Sequence, residues 1–168
     1  VITANSDSIA ARSALLGGEV THDGNARITE RGVVYATTEN PTTTDIKVPA
    51  GSGTGPFSIK VTGLTPKTLY YVRAYAINSL GTAYGEQVSF TTPCPAVDAD
   101  GNCYNSVFSG NQEWMSENLK TTRYRDGTPI PLVSDNSEWI SLTTGAFSWY
   151  DNNESNKNGN GALYNWYA

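Results

Sequence analysis

Residues 64–77 read LTPKTLYYVRAYAI, and this stretch decides the fold of the first half of the chain. A turn that contains proline precedes eight residues in which aromatic and β-branched side chains are frequent, the pattern of a strand. Because successive side chains of a strand point to opposite faces, the alternation predicts two sets. One face carries Tyr70, Val72, Ala74 and Ala76, and the other carries Tyr71, Arg73, Tyr75 and Ile77. The small side chains of the first face leave room for an opposing sheet.

Short runs of similar character recur on both sides of this strand, separated by clusters of Gly, Pro, Asn, Asp and Thr. No segment of the first half shows a long helical period of apolar residues. The predicted strands cover residues 8–21, 29–37, 45–48, 57–62, 70–78 and 82–91. Several short strands at this spacing favour a mainly β fold, an Ig-like β-sandwich.

The turn before the strand carries a family resemblance. Leu64-Thr65-Pro66-Lys67-Thr68-Leu69-Tyr70 resembles the L-x-P-x-T-x-Y corner of fibronectin type III domains. In that family the tyrosine hydroxyl bonds to nearby backbone and fixes the crossover between the sheets. Residues 74–81 resemble the family's F strand and F–G turn, and residues 31–35 resemble its strand C. The resemblance covers residues 1–92, lacks the tryptophan that many members bury on strand B, and implies a spacer domain.

The two halves of the chain differ in composition. Residues 1–92 carry seven basic and seven acidic side chains, whereas residues 93–168 carry four basic and nine acidic ones. All four tryptophans lie after residue 93, and Pro93 and Pro95 stiffen the join. We therefore predict two domains, residues 1–92 and residues 93–168. The acidic second domain repels phosphates, which argues against nucleic acids and anionic membrane surfaces as partners.

Cys94 and Cys103 flank a turn-forming stretch and are predicted to close a small disulfide loop, which suits an exported protein. Between them, Asp98, Asp100 and Asn102 alternate like the first ligands of a calcium loop. An EF-hand loop also needs Gly at its sixth position and Glu at its twelfth, and this chain has neither. We favour a hairpin with an Asp-Gly-Asn tip, with a calcium site as the alternative and no other cofactor.

From residue 96 onwards the sequence resembles the Fibrobacter succinogenes major paralogous domain, a repeat of exported bacterial proteins. The matching pieces are DGN at 100–102, GNQ at 110–112, WMSENL at 114–119, YRDGTPI at 124–130, WY at 149–150 and GALYNWY at 161–167. The resemblance implies a mixed α+β, C-type lectin-like second domain. Members continue past the YNWY run, so it also implies a truncated domain. Tyr164, Trp166 and Tyr167 would then be covered by a missing C-terminal half or by a partner chain.

The aromatic side chains of the second domain have two interpretations. They are either stacking platforms for sugar rings, with the Asn-rich loop bonding the hydroxyls, or packing residues of a core. Packing is favoured for Trp114 and Trp166, whereas the two interpretations are nearly balanced beside the polar loop. The predicted ligand-binding residues are Trp139, Trp149, Tyr150, Asp151, Asn152 and Asn153.

Groups that would support catalysis are sparse in the sequence. The single His22 lies in a turn-like HDGN stretch and is predicted to be solvated. Glu113 and Glu117 are four residues apart and would share a helical face, and paired carboxylates can perform acid–base chemistry on glycosides. Solvated helix charges are the commoner case, so we predict that the chain is not an enzyme.

These observations predict an exported bacterial module at the cell surface that binds glycans or proteins. In this hypothesis the sandwich is a spacer, and the aromatic-rich, lectin-like domain carries the adhesive site. Two alternatives remain: a structural or assembly subunit of a surface structure, and an accessory module of a larger glycan-degrading enzyme.

Overall fold

The computed structural model describes residues 1–168, which cluster into two units, Val1–Pro93 and Cys94–Ala168. The first unit contains nine strands: β1 Ile2–Thr3, β2 Asp7–Ala10, β3 Ser13–Val20, β4 Glu30–Ala36, β5 Ile46–Pro49, β6 Gly55–Thr62, β7 Leu69–Asn78, β8 Gly81–Tyr84 and β9 Val88–Thr91. The predicted strands at 8–21 and 82–91 each form two strands. The chain turns back at Ala11 and Arg12, and residues 85–87 leave the ladder between β8 and β9.

These strands form two antiparallel sheets. In the first, β3 pairs with β6 along its whole length and also with β1 and β2. In the second, β7 pairs with β4, β8 and β9, and β4 pairs with β5. Side chains from both sheets share one core: Ala14, Leu16, Val33, Tyr35, Val61, Leu64, Tyr70, Val72 and Phe90. This arrangement confirms the predicted Ig/fibronectin-like β-sandwich.

Tyr70 is the corner of the sandwich, as the sequence predicted. Its hydroxyl accepts a hydrogen bond from the backbone N–H of Thr65 at 3.0 Å. Its ring stacks on Phe90, with 5.6 Å between ring centroids, and meets Tyr35 edge-on at 5.8 Å. The hydroxyl therefore ties the turn before β7 to the core that the ring helps to form.

Small residues allow the two sheets to approach each other. A Cβ atom built on Gly18 of β3 would lie 2.5 Å from the Cβ atom of Ala74 on β7. The four side chains predicted to face the opposing sheet, those of Tyr70, Val72, Ala74 and Ala76, are all buried. The prediction that small side chains on this face make room for a second sheet is confirmed.

Tyr75 differs from the prediction, because it belongs to the outward-facing set and is nevertheless fully buried. Its hydroxyl donates to a carboxylate oxygen of Glu30 at 2.7 Å, and the Lys47 ammonium lies 5.9 Å from the centre of its ring. Neighbouring strands thus cover the ring on the outer face of the sheet. The alternation of side chains along one strand does not show whether residues of neighbouring strands bury a side chain on its outer face.

The second unit is a mixed α+β structure. Its strands are β10 Ala96–Val97, β11 Cys103–Tyr104, β12 Ser106–Ser109, β13 Gln112–Met115, β14 Phe147–Trp149 and β15 Ala162–Tyr164. Its helices are α1 Asn136–Ser141 and α2 Lys157–Asn160, with 3₁₀ turns at Tyr150–Asn152 and Glu154–Asn156. The strands pair consecutively into three antiparallel ribbons. The main apolar cluster contains Ile130, Phe147 and Trp149, with Tyr124, Ala162 and Tyr164 packed against it.

Two tryptophans favoured as packing residues are exposed within this chain. Trp114 is 58% exposed and Trp166 is 94% exposed. Trp114 lies on β13, whose only strand partner is β12, so the ribbon has no second layer over its aromatic face. Tyr167 is also exposed, whereas Tyr164 packs against the core.

The proposed helical pair of carboxylates is also corrected. Glu113 lies on β13 and Glu117 follows that strand, so the two do not share a helical face. The Glu117 carboxylate accepts hydrogen bonds from the backbone and side-chain nitrogens of Asn105 at 3.0 Å and 2.6 Å.

Among the helices of the chain, none has the length and apolar character needed to cross a bilayer.

Candidate functional site

A cleft beside α1 in the second unit has a volume of about 330 Å³. One side is α1 with the residues that precede it, and the other is β14 with the turn that follows it. The lining residues are Val133, Ser134, Asp135, Asn136, Trp139, Ser148, Trp149, Asp151, Asn152 and Leu163. Aromatic and apolar side chains combined with a few polar groups are the usual composition of a small-ligand site.

Asp135 fixes the start of α1 and thereby the wall of the cleft. Its carboxylate accepts from the backbone N–H of Glu138 at 2.9 Å and from the Ser137 hydroxyl. These bonds, first that of Ser137 and then that of Glu138, lower the pKa of the Asp135 carboxyl below its usual value. Because the helix begins there, Trp139 lies one turn further on, half-buried, with its ring at the cleft.

Asn152 holds the opposite margin of the cleft in place. Its side-chain amide donates to the carbonyl oxygen of Ser134 at 3.1 Å and accepts from the hydroxyl of Ser148 at 2.8 Å. The backbone of Asp151 and Asn152 is in the left-handed region, with φ of 53° and 52°. For residues other than glycine this conformation costs about 1 kcal/mol each. The two side-chain hydrogen bonds of Asn152 therefore hold the turn in a strained conformation.

The structure brings four of the six predicted ligand-binding residues to this cleft: Trp139, Trp149, Asp151 and Asn152. Tyr150 and Asn153 lie outside it. Tyr150 is 47% exposed, and the Asn153 side chain caps the next 3₁₀ turn by accepting from the N–H of Ser155 at 3.0 Å. Asp135 and Asn136 were not among the predicted site residues, although the Asp-x-x-Glu spacing of residues 135–138 is a helix-start signal.

Trp149 belongs to the apolar cluster of the second unit, so packing is its main role. Only 5% of its surface is exposed. The ring meets Phe147 edge-on at 5.1 Å, and the Lys157 ammonium lies 5.4 Å from the ring centre. Of the predicted aromatic residues, Trp139 is therefore the one that lines the cleft without being fully packed.

The loop after the domain boundary is a disulfide-closed hairpin. Cys94 and Cys103 are bonded, with 5.7 Å between their Cα atoms, which confirms the predicted pair. The Asp98 carboxylate accepts hydrogen bonds from the backbone N–H groups of Asp100 and Asn102, at 3.0 Å and 2.9 Å, and from the Tyr104 hydroxyl. The carboxylate thus closes the hairpin turn from within.

The three residues weighed as calcium ligands do not converge on one point. Asp98 bonds to its own hairpin, whereas the Asp100 carboxylate accepts from Thr122 and from Arg123, whose Nε atom lies 3.1 Å away. The Asn102 side chain donates to Asp98 at 2.8 Å. The hairpin interpretation is therefore correct, and these carboxylates join the hairpin to the segment at residues 121–123.

We expect the stability of the second unit to fall on acidification below about pH 4, where the Asp98 carboxyl becomes protonated. Burial raises the pKa of that carboxyl, but bonds from Tyr104, Asn102 and Asp100 outweigh it and bring the pKa below 3.8. The pKa of the Asp98 carboxyl is lower in the folded protein than in the unfolded chain. Its contribution to stability is therefore fully present above the unfolded pKa, and it is lost as the pH falls through the folded pKa.

The measurement is the urea midpoint followed by tryptophan fluorescence between pH 7 and pH 3. All four tryptophans lie in the second unit, so the signal reports on it alone. Asp98→Asn should flatten the pH profile, and Glu154→Gln, which removes an exposed carboxylate elsewhere, should leave it unchanged. An Asp98→Asn profile as steep as that of the wild type would contradict the assignment.

Comparison with known proteins finds a family match over part of the chain. Residues 107–168 match the model of the Fibrobacter succinogenes major domain, as the motifs from WMSENL to GALYNWY predicted. The chain is similar in structure to the sensor domain of an anti-sigma factor from Pseudobacteroides cellulosolvens, with 21% identity and a TM-score of 0.42, over 55% of this chain and 91% of that one. It is also similar to a human fibronectin type III domain, with 25% identity and a TM-score of 0.41, over 55% of this chain and 81% of that one. No curated protein matches the chain.

Proposed function

We propose that the chain is part of an extracellular, non-catalytic binding protein whose second unit takes a glycan in the cleft beside α1. The observation that carries the proposal is the composition of that cleft. It joins a half-buried aromatic ring, Trp139, to the Asp151 carboxylate and the Asn136 amide, neither of which has a hydrogen-bond partner within the chain.

Sugar rings have the complementary chemistry. Their axial C–H groups form an apolar patch that packs on an aromatic ring, and their hydroxyls donate to carboxylates and accept from amides. One N–H and one oxygen lone pair of the Asn152 amide are already bonded within the chain. We assign it the role of holding Asp151 in position.

An extracellular location is supported by two observations. The Cys94–Cys103 disulfide is the kind of bond that persists in oxidising compartments. Residues 107–168 match a domain family whose members, by the resemblance stated above, are exported bacterial proteins. In this proposal the sandwich is a spacer.

Replacing Trp139 by alanine is expected to weaken glycan binding by about 10-fold to 100-fold, because truncating a large apolar contact removes roughly 1.5–3 kcal/mol. The test begins with a glycan array, followed by calorimetry on the glycans that the wild type retains. Ile140→Ala is the matched control, since Ile140 is the next residue of α1, is 84% exposed and does not line the cleft. Equal affinity of Trp139→Ala and wild type would remove the proposed site.

The second candidate function is assembly with other proteins, and the β12–β13 ribbon favours it. Val107 and Trp114 lie opposite each other on the ribbon, 52% and 58% exposed, and Phe108 is 63% exposed. A two-stranded ribbon with exposed apolar side chains is marginally stable alone and suits a protein contact. Oligomers in light scattering that disappear in Trp114→Ser, with no glycan retained on the array, would favour assembly over glycan binding.

A further inference from the structure

The charged side chains that line the cleft beside α1 are all acidic. Two carboxylates, those of Asp135 and Asp151, lie among its lining residues, and no lysine, arginine or histidine does. Lys157, the cation nearest in sequence to the 151–152 turn, lies over the Trp149 ring. The charged side chains that line the cleft are therefore all negative, and the Lys157 ammonium is held against the Trp149 ring instead of lining the cleft.

Asp151 is the more available of the two carboxylates. One oxygen of Asp135 is occupied by the start of α1, where Ser137 and Glu138 donate to it. The Asp151 carboxylate has no hydrogen-bond donor within the chain, although its backbone is held at φ 53° and ψ 27°. Strained residues of this kind persist where surrounding contacts fix them, and they concentrate at binding sites. Here the contacts are the two bonds of Asn152 to Ser134 and Ser148.

We infer that the cleft selects uncharged or amino-bearing glycans over acidic ones, and that Asp151 is the residue that determines this selectivity. The inference rests on the proposed function, because it specifies the class of glycan that the same cleft takes.

The physical reason is a difference in how the two classes meet the Asp151 carboxylate. Hydroxyl and ammonium groups donate hydrogen bonds to an ionised carboxylate, and such charge-assisted bonds are stronger than neutral ones. A uronate, sialate or sulfate group brings a second negative charge into the cleft. Like charges placed together in a partly desolvated site oppose binding, and this is a common means of excluding the wrong ligand.

The test uses a glycan array in which neutral, amino and uronic acid members share the same linkages, so that charge is the variable within each set. Retained glycans are then titrated with wild type, Asp151→Asn and Glu154→Gln. Asparagine tolerates the left-handed backbone, so Asp151→Asn keeps the turn. Glu154→Gln changes the net charge by the same amount at an exposed carboxylate three residues away and outside the cleft.

We expect wild type to retain neutral or amino glycans and to bind the matching acidic ones at least about 10-fold more weakly. Asp151→Asn should weaken binding of the neutral glycan about 10-fold or more and narrow the difference between neutral and acidic members. Glu154→Gln should do neither. Wild type that prefers acidic glycans, or Asp151→Asn with unchanged selectivity, would overturn the inference while leaving the proposed function in place. An array on which wild type retains no glycan would overturn both.

Discussion

Replacing Trp149 by alanine is expected to destabilise the second unit by about 3–5 kcal/mol, the usual loss when a large buried aromatic side chain is removed. Trp149 is 5% exposed, packs edge-on against Phe147 and lies under the Lys157 ammonium. Marginal stability is normal for a domain of this size, so a loss of that magnitude unfolds a large part of the population. The measurement is the urea midpoint of the dispersed amide NMR signals of β14 and β15.

Tyr150→Ala is the control for this variant. The adjacent side chain is 47% exposed, so its removal should change the free energy of unfolding by about 0.5 kcal/mol or less. The amide signals of the first unit should remain unchanged in both variants. A Trp149→Ala protein that unfolds at the wild-type urea concentration would show that the cluster around Ile130 and Phe147 does not hold this unit together.

The Trp149 result decides which tryptophan can test binding. If Trp149→Ala unfolds the second unit, loss of glycan binding in that variant says nothing about contact with a sugar. Trp139 is the better choice, because it is half-buried on α1 and belongs to no core cluster of the unit.

Removing the disulfide is expected to lower the stability of the second unit by about 2.6 kcal/mol. The Cys94–Cys103 bond spans a sequence separation of 9, and closing a loop of this size restricts the unfolded chain by that amount in the loop-entropy description. The loss should be larger than that of an ordinary cystine at a loop margin, because the same hairpin carries Asp98 and Tyr104, whose hydroxyl also accepts from the N–H of Lys120 at 3.0 Å.

The measurement compares urea unfolding of the Cys94→Ser/Cys103→Ser variant with that of the oxidised protein. Tryptophan fluorescence follows the second unit, because the first unit contains no tryptophan, and amide NMR follows the sandwich. A reducing agent should shift the fluorescence midpoint of the wild type toward that of the double variant and leave the sandwich signals in place. A midpoint that does not change on reduction would mean that the hydrogen bonds of the hairpin are sufficient without the bond.

The fold of the first unit was predictable because its signals are local. Alternation along residues 70–77 and the Pro66-containing corner specify one strand, its buried face and the turn before it. What the sequence did not reveal was Tyr75, which is buried on the outer face because Glu30 and Lys47, on other strands, cover it. Burial by neighbouring strands depends on which strands are adjacent in the sheet, and the sequence of one strand does not determine that.

In the second unit, short motifs were predictable from the sequence, whereas the burial of individual side chains was not. Its motifs predicted the resemblance that the family model matches over residues 107–168, and the positions of Cys94 and Cys103 predicted their bond, since both signals are contained in short stretches of sequence. The burial of its individual tryptophans did not follow from the sequence. Trp149 and Trp114 are alike as residues, yet one packs against Phe147 and the other lies on a ribbon with no second layer.

The chain's own sequence determined the sandwich, its tyrosine corner, the division into two domains, the disulfide and the polar loop beside Trp149. Only the tertiary structure decided which of these residues form a cleft, because Ser134, Trp139, Asp151 and Leu163 come from four separate segments. The Asn152 bonds join the turn at 151–152 to Ser134 and to Ser148 of β14. Burial and proximity are properties of the packed chain, since each depends on contacts between residues that are distant in sequence.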